Sequence, residues 1–252
     1  MGERRTCLVT GGGRGIGRAT ALELSRLGHR VALTARNADQ LAETAAMING
    51  PVLSVPADIT DDDAIGDVFG RVEDEWGPVD ILVANAGAGT SAPVHRTTDE
   101  DWQRMLDLNL TAPFQCIRRA VPSMRDSEWG RIVVVASVAA KYGAPYLAAY
   151  TAAKHGVLGL VRAVAAELAD TGITVNAVCP GYADTPMTDH VVKAIHGRTG
   201  RSEKEVRNLL AQKQPIGRLI KPEEVAQTIL LCVTNGAITG QGINVDGGAI
   251  QS

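Results

Sequence analysis

The sequence predicts an open α/β fold: a doubly wound parallel sheet of about seven strands, with helices on both faces, in one domain spanning 1–252. Three observations carry this expectation. Segments with strand and helix character alternate from the start of the chain to its end. The strands read as continuous apolar runs, such as Ile132-Val133-Val134-Val135, so both faces of the sheet should be buried. Finally, 252 residues with 45% hydrophobic content supply a sizeable core, and no repeat, linker or low-complexity segment divides it.

Residues 6–10 (T-C-L-V-T) form the first strand, followed by G-G-G-R-G-I-G and a helix to about Leu27. R-V-A-L-T-A at 30–35 is a second strand, and Asn37 can cap a helix running to about Ile48. P-V-L-S-V-P at 51–56 is a third. Either Thr60 or Asp61 caps the next helix, which ends near Trp76-Gly77-Pro78. V-D-I-L-V-A at 79–84 is the fourth strand and leads into N-A-G. A long helix is predicted from Thr98 to about Met124, bent at Pro113. After the fifth strand comes an Ala- and Leu-rich helix carrying Tyr150 and Lys154. I-T-V-N-A-V-C at 173–179 is the sixth strand, ended by Pro180-Gly181. Residues 186–213 read as irregular to helical, Pro222 opens a helix to about Thr234, and 243–245 is a last short strand.

A net charge of -3 gives no general attraction to nucleic acid or to a membrane surface. No apolar run reaches the ~18 residues of a membrane-spanning helix, and the start, M-G-E-R-R, lacks the apolar core of a signal peptide. Cys7, Cys116, Cys179 and Cys232 are scattered without paired spacing and read as small buried hydrophobes in a reducing compartment. The expectation is a cytoplasmic protein. His29, His95, His155, His190 and His196 show no ligand spacing, so no metal site is expected.

Chemistry enters at the first strand–helix turn. Gly11, Gly15 and Gly17 would let backbone N–H groups at a helix N-terminus approach a pyrophosphate closely. NAD-binding folds tend to place an acidic residue at the end of the second strand, for the ribose 2′-hydroxyl. Here that position is Ala35, followed by Arg36, and Arg14 lies in the glycine loop. Two guanidiniums with no opposing carboxylate favour a 2′-phosphate, hence NADP(H) over NAD(H).

The second chemical stretch runs from Ser137 to Lys154. Of its three tyrosines, Tyr142, Tyr146 and Tyr150, only Tyr150 has a lysine four residues on, about one helical turn away. An ammonium nearby should lower the phenol's pKa and make proton transfer to or from a substrate oxygen practical. Ser137, at the end of the preceding strand, could hold the same oxygen. The stretch points to chemistry on a carbonyl or an alcohol.

Taken together, T-G-G-G-R-G-I-G, D-I-T at 58–60, N-A-G at 85–87, Asn109, Ser137, Y-T-A-A-K at 150–154 and P-G-Y-A-D-T at 180–185 resemble the single-domain members of the short-chain dehydrogenase/reductase family. The likeness covers essentially the whole chain and implies a Rossmann-type fold. It implies that Tyr150 is the acid/base, that Lys154 lowers its pKa and binds the nicotinamide ribose, and that Ser137 orients the carbonyl. Asn109 would hold a water linking Lys154 to solvent. Cofactor contacts would come from Thr10, Gly11, Arg14, Gly15, Ile16, Gly17 and Arg36, from Asp58 and Ile59 at the adenine, and from Asn85, Ala86 and Gly87. Pro180, Gly181 and Thr185 would hold the nicotinamide end. Ala84 and Ala136 depart from the family pattern without removing a catalytic group.

In this family the segment at about 186–214 covers the substrate. Between Met187 and Lys213 it carries Lys193, Arg198, Arg201, Lys204, Arg207 and Lys213 against Asp189, Glu203 and Glu205. This is either a basic lid suited to a CoA or carrier-protein thioester, or a solvated helical face. P-I-G-R at 215–218, K-P-E-E-V-A at 221–226 and the ending G-Q-G-I-N-V-D-G-G resemble the 3-oxoacyl reductase and polyketide ketoreductase branch, and also occur in 3-hydroxybutyrate and cyclic-alcohol dehydrogenases. The resemblance therefore implies an NADPH-dependent ketoreductase, with an NAD(P)-dependent alcohol dehydrogenase as the alternative. A catalytically silent nucleotide-binding protein would be expected to have lost Ser137, Tyr150 or Lys154. The family is usually tetrameric, pairing through helices at about 99–125 and 148–170 and through the C-terminal strand region.

Overall fold

The computed structural model describes residues 3–251. Seven parallel strands form one sheet in the order β3-β2-β1-β4-β5-β6-β7: β1 Thr6–Thr10, β2 Arg30–Ala35, β3 Val52–Pro56, β4 Ile81–Ala84, β5 Gly130–Val135, β6 Ile173–Pro180 and β7 Gly242–Val245. The continuous apolar runs are explained by burial on both sides. Leu8 of β1 and Ile132 and Val134 of β5 point into one core, with Phe69 and Val157. Cys7 and Val9, with Val133 and Val135, point into the other, with Leu24 and Ile229. Each such side chain contributes about 1.5–3 kcal/mol by leaving water.

The helices are α1 Gly15–Arg26, α2 Ala38–Ala46, α3 Asp62–Trp76, α4 Asp99–Leu106, α5 Ala112–Asp126, α6 Ala148–Glu167, α7 Pro186–Thr199, α8 Glu203–Gln212 and α9 Pro222–Thr234. Their starts follow local capping chemistry. Asn37 accepts from the Gln40 N–H and Thr98 from the Asp101 N–H. Asp61, not Thr60, caps α3; Thr60 is turned back onto the Asp58 carboxylate. Ser202 and Glu205 close a reciprocal capping box on α8.

The structure sharpens two expectations. The single bent helix from Thr98 is two helices joined by a π-helical segment, Asp107–Thr111. Pro113, at the second position of α5, has no N–H to donate to the Asn109 carbonyl, so the regular ladder cannot run through it. The Ala112 N–H reaches back to the Asp107 carbonyl instead. The segment after Thr185, read as irregular to helical, is two ordered helices, α7 and α8, packed on each other through Val192, Val206 and Leu210.

The order of strands reverses between β1 and β4. A crevice therefore opens at their C-terminal ends, where such sheets bind ligands.

Candidate active site

The crevice is built from glycines and two polar side chains. Gly11 and Gly15 hold left-handed backbones (φ +65° and +55°) that turn the chain from β1 into α1. A Cβ on Gly17 would overlap the Gly11 carbonyl oxygen and lie 2.6 Å from Asn85 Nδ2, so helix and strand could not approach as they do. Asn85 Nδ2 donates to the Thr10 carbonyl (2.9 Å), while the N–H groups of Asn85 and Ala86 both donate to Thr10 Oγ1 at 3.0 Å. The polar atoms of Thr10 and Asn85 thus tie β1 to β4. Ile16 packs against the second core. Unlike α2, α3, α4 and α8, α1 has no capping side chain and no acidic residue in its first turn, so its N-terminal N–H groups are left for an anion.

At the far end of β2, the Arg36 side chain is 80% exposed and stands 4.0 Å from the Asp58 carboxylate, which corrects the expectation of no opposing carboxylate there, because the loop after β3 brings Asp58 alongside. Arg14, at the start of α1, is also exposed. Burial pushes Asp58 toward the neutral form, but hydrogen bonds from Thr60 and the Arg36 charge outweigh it and hold its pKa below the usual value. Ile59 is a core side chain.

The end of β5, the helix α6, the π segment and the end of β6 deliver the second half of the site. Ser137 follows β5 and is partly exposed, its Oγ accepting from the Ala139 N–H at 3.1 Å. Tyr150 lies in the first turn of α6, with Lys154 one turn on. Lys154 is buried, and its Nζ donates to the Val135 carbonyl at 3.0 Å and stands 5.7 Å from the centre of the Tyr150 ring. Burial lowers the Lys154 pKa to about 8, and the nearby Cys179 thiol opposes the fall. Burial also raises the Tyr150 pKa; a hydrogen bond with Ser137 pulls it down, and Tyr182, Cys179 and Tyr142 push it up. Lys154 thus holds the Val135 carbonyl while standing beside the Tyr150 ring, and burial weakens its own hold on its proton.

Asn109 sits in the π segment, buried, with Nδ2 donating to the carbonyls of Ala88 (3.0 Å) and Met105 (3.1 Å). Its Oδ1 is buried without a partner among the described residues. A Cβ on Gly87 would meet that Oδ1 at 2.9 Å and Lys154 Nζ at 3.6 Å, so Gly87 marks where Asn109 and Lys154 come together. Pro180 ends β6, and the Gly181 N–H donates to the Val245 carbonyl at 3.0 Å. Thr185 faces Gly15 across the crevice, its methyl 3.2 Å from where a Cβ on Gly15 would be.

Gln214 was not anticipated. It is buried, donates to the carbonyls of Tyr182 (3.2 Å) and Arg218 (2.6 Å), and turns its Oε1 onto Gly181. Its position just before P-I-G-R was the only signal for it. The basic excess of the covering segment is partly consumed: Arg207 pairs with Asp184 and with Asp189 (2.6 Å). Arg198 reaches from α7 to Ser91 Oγ at 3.2 Å.

These residues fit a nicotinamide dinucleotide. The N-terminus of α1 is uncapped, the glycines leave room beside it that side chains would fill, and Asn109 offers an orphaned acceptor next to Lys154. Among the described residues, no cluster of three or more His, Cys, Asp or Glu could hold a metal, and no helix is long and apolar enough to cross a membrane.

The comparisons with known proteins agree with this geometry. Residues 5–196 match the family model described as short chain dehydrogenase. D-beta-hydroxybutyrate dehydrogenase of Rhizobium meliloti (strain 1021) is 37% identical, over 97% of this chain and 98% of the relative. The 3-oxoacyl-(acyl-carrier-protein) reductase of Thermotoga maritima is also 37% identical, over 98% of each. A variant of actinorhodin polyketide ketoreductase, crystallised with NADPH, superposes with a TM-score of 0.94 at 35% identity, covering 98% of this chain and 97% of that one. With a nucleotide crevice at the strand reversal and a serine, tyrosine and lysine gathered at its mouth, this chain belongs to the short-chain dehydrogenase family of oxidoreductases.

Proposed function

We propose that the protein is an NADPH-dependent ketoreductase acting on the ketone of a 3-oxoacyl thioester or a related polyketide-type substrate. The observation that carries this reading is the meeting of the Tyr150 and Ser137 hydroxyls over a buried Lys154. The cofactor, when bound, supplies the hydride. Ser137 donates a hydrogen bond to the carbonyl oxygen and fixes its position beside Tyr150. The Tyr150 hydroxyl, kept protonated by its raised pKa, gives its proton to that oxygen as negative charge develops there. Lys154 stabilises the phenolate left behind, and the free Oδ1 of Asn109 orders a water that returns the proton from solvent. Arg14 and Arg36 would hold the 2′-phosphate, Arg36 exchanging its 4.0 Å pairing with Asp58 for it.

The same reading includes a cytoplasmic location, supported by four unpaired, buried thiols, and a homotetramer, supported by exposed Trp102 and Phe114 on α4 and α5. A second reading, oxidation of a 3-hydroxy acid or a small alcohol, is favoured by the likeness to the Rhizobium enzyme. Initial rates with NADPH and NADH, offered with acetoacetyl-CoA and with a simple cyclic ketone, separate the two. Turnover of the thioester with NADPH supports the first. Turnover confined to NADH and the simple ketone rejects both its cofactor and its substrate.

A further inference from the structure

Among the described residues, two besides glycines hold left-handed backbones, Glu128 (φ +53°) and Tyr146 (φ +68°). The first is explained by its place. Glu128 follows the end of α5, its N–H donating to the Arg125 carbonyl and the Trp129 N–H to the Met124 carbonyl, the paired bonds with which helices commonly end. Tyr146 ends no helix. The Leu147 N–H donates back to the Ala144 carbonyl at 3.3 Å, which makes Ala144-Pro145-Tyr146-Leu147 a type II turn. Pro145 suits the second position of such a turn. The third demands a positive φ and calls for glycine or asparagine, and a bulky aromatic there is a conformational outlier.

The turn has a use for its backbone, since the Tyr146 carbonyl accepts from the Ala92 N–H at 2.9 Å and so fastens the loop after β4 to the site. Glycine would make that bond equally well and without strain, so the bond does not explain a tyrosine. Nor does packing, because Tyr146 is 63% exposed. A local rule broken at a residue whose side chain supports neither the turn nor the core points to the site beside it.

The surroundings say what the ring is for. All four tyrosines of the chain, Tyr142, Tyr146, Tyr150 and Tyr182, lie on the segments that follow β5 and β6. On the loops and helix around the same mouth, Val94 is 75% exposed, and Tyr142 and Met187 are exposed as well. Gly89, three residues before Ala92, packs against the Tyr150 ring, so the fastened loop leads directly to the reacting hydroxyl. Tyr146 and the loop it fastens thus border the catalytic cleft.

We infer that Tyr146 is a specificity-determining residue, its ring forming one wall of the cleft mouth against an apolar chain or ring that extends beyond the substrate's reacting ketone. The inference rests on the ketoreductase reading and adds a preference for the longer of two substrates sharing the same head. A phenol ring suits this task because it offers a large, stiff, amphipathic face.

The test compares wild type, Tyr146→Gly and Tyr146→Phe with NADPH and two ketones, acetoacetyl-CoA and a longer 3-oxoacyl-CoA. Tyr146→Gly should raise KM for the longer substrate about tenfold, with kcat within about twofold, as expected for one lost aromatic contact. KM for acetoacetyl-CoA should stay as in wild type, and the melting temperature should equal or exceed it, because the strained φ is relieved. Tyr146→Phe should keep the wild-type preference. An unchanged ratio of the two substrates in Tyr146→Gly would overturn the inference while leaving the ketoreductase reading intact. So would a change in oligomeric mass with the ratio unchanged, which would assign the ring to a subunit contact. Wild-type protein that reduces neither ketone removes the reading and the inference together.

Discussion

At the glycine-rich end of the crevice, the side chains of Thr10 and Asn85 lock β1 to β4 through hydrogen bonds to backbone, and Gly17 leaves no room for even a methyl group. At the other end, proposed to meet the substrate, Tyr142, Tyr146, Val94 and Met187 are exposed, and helices α7 and α8 are held by ion pairs of Arg207 and one reach from Arg198 to Ser91. The difference follows from what each end must recognise. A dinucleotide has one shape, which backbone packed at van der Waals contact can match. A substrate chain is met by side chains that can change without disturbing the sheet. Tyr150, Ser137 and Lys154 stand where the two regimes meet.

The largest expected effect falls at that junction. Tyr150→Phe keeps the ring and removes the proton, and should lower kcat by about 10²–10⁴-fold, the usual worth of a positioned acid, with cofactor binding retained. Gly17→Ala should break the rigid end alone. Its Cβ collides with backbone, so a stability loss of about 1–3 kcal/mol, read by chemical denaturation, should accompany weaker dinucleotide binding. Arg36→Ala should cut the preference for NADPH over NADH about tenfold or more, the worth of one charge-assisted contact, without lowering kcat with NADH. The smallest effect belongs to the adaptable end: Arg207→Ala removes two surface ion pairs and should change stability by less than about 1 kcal/mol.

The two ends should also part in their response to pH. On the proposed mechanism ketone reduction needs Lys154 charged, and burial has brought its pKa to about 8. The rate of reduction should therefore hold below that pH and fall as pH rises through it. A rate-against-pH profile that is flat across this range would reject the role given to the lysine. Tyr150, shifted upward, stays protonated through the same window and should not contribute to the fall.

The rigid end was largely legible in the sequence. Strands buried on both faces leave unbroken apolar runs, glycines mark the turn into α1, and Asn37 and Pro222 announce their helices. What stayed hidden depends on contacts distant in sequence or on backbone detail. The π segment at Asp107–Thr111 arises from a missing donor at Pro113, which reads equally well as a simple bend. Lys154 lies one turn from Tyr150 as the spacing says, yet its charge is engaged by Val135, on another element. Gln214 bridges Tyr182 and Arg218 and has no local signature. Tyr146 was visible as a tyrosine after a proline, but its left-handed backbone was not.

The measurement that tests the account most directly is the NADPH-dependent reduction of acetoacetyl-CoA by wild type and by Tyr150→Phe, followed by loss of reduced-nicotinamide absorbance, with cofactor binding measured in parallel. The account predicts turnover by wild type, loss of turnover in Tyr150→Phe, and equal NADPH affinity in both. Full activity in Tyr150→Phe would contradict it, because the proton would then come from a group other than the phenol that Ser137 and Lys154 surround.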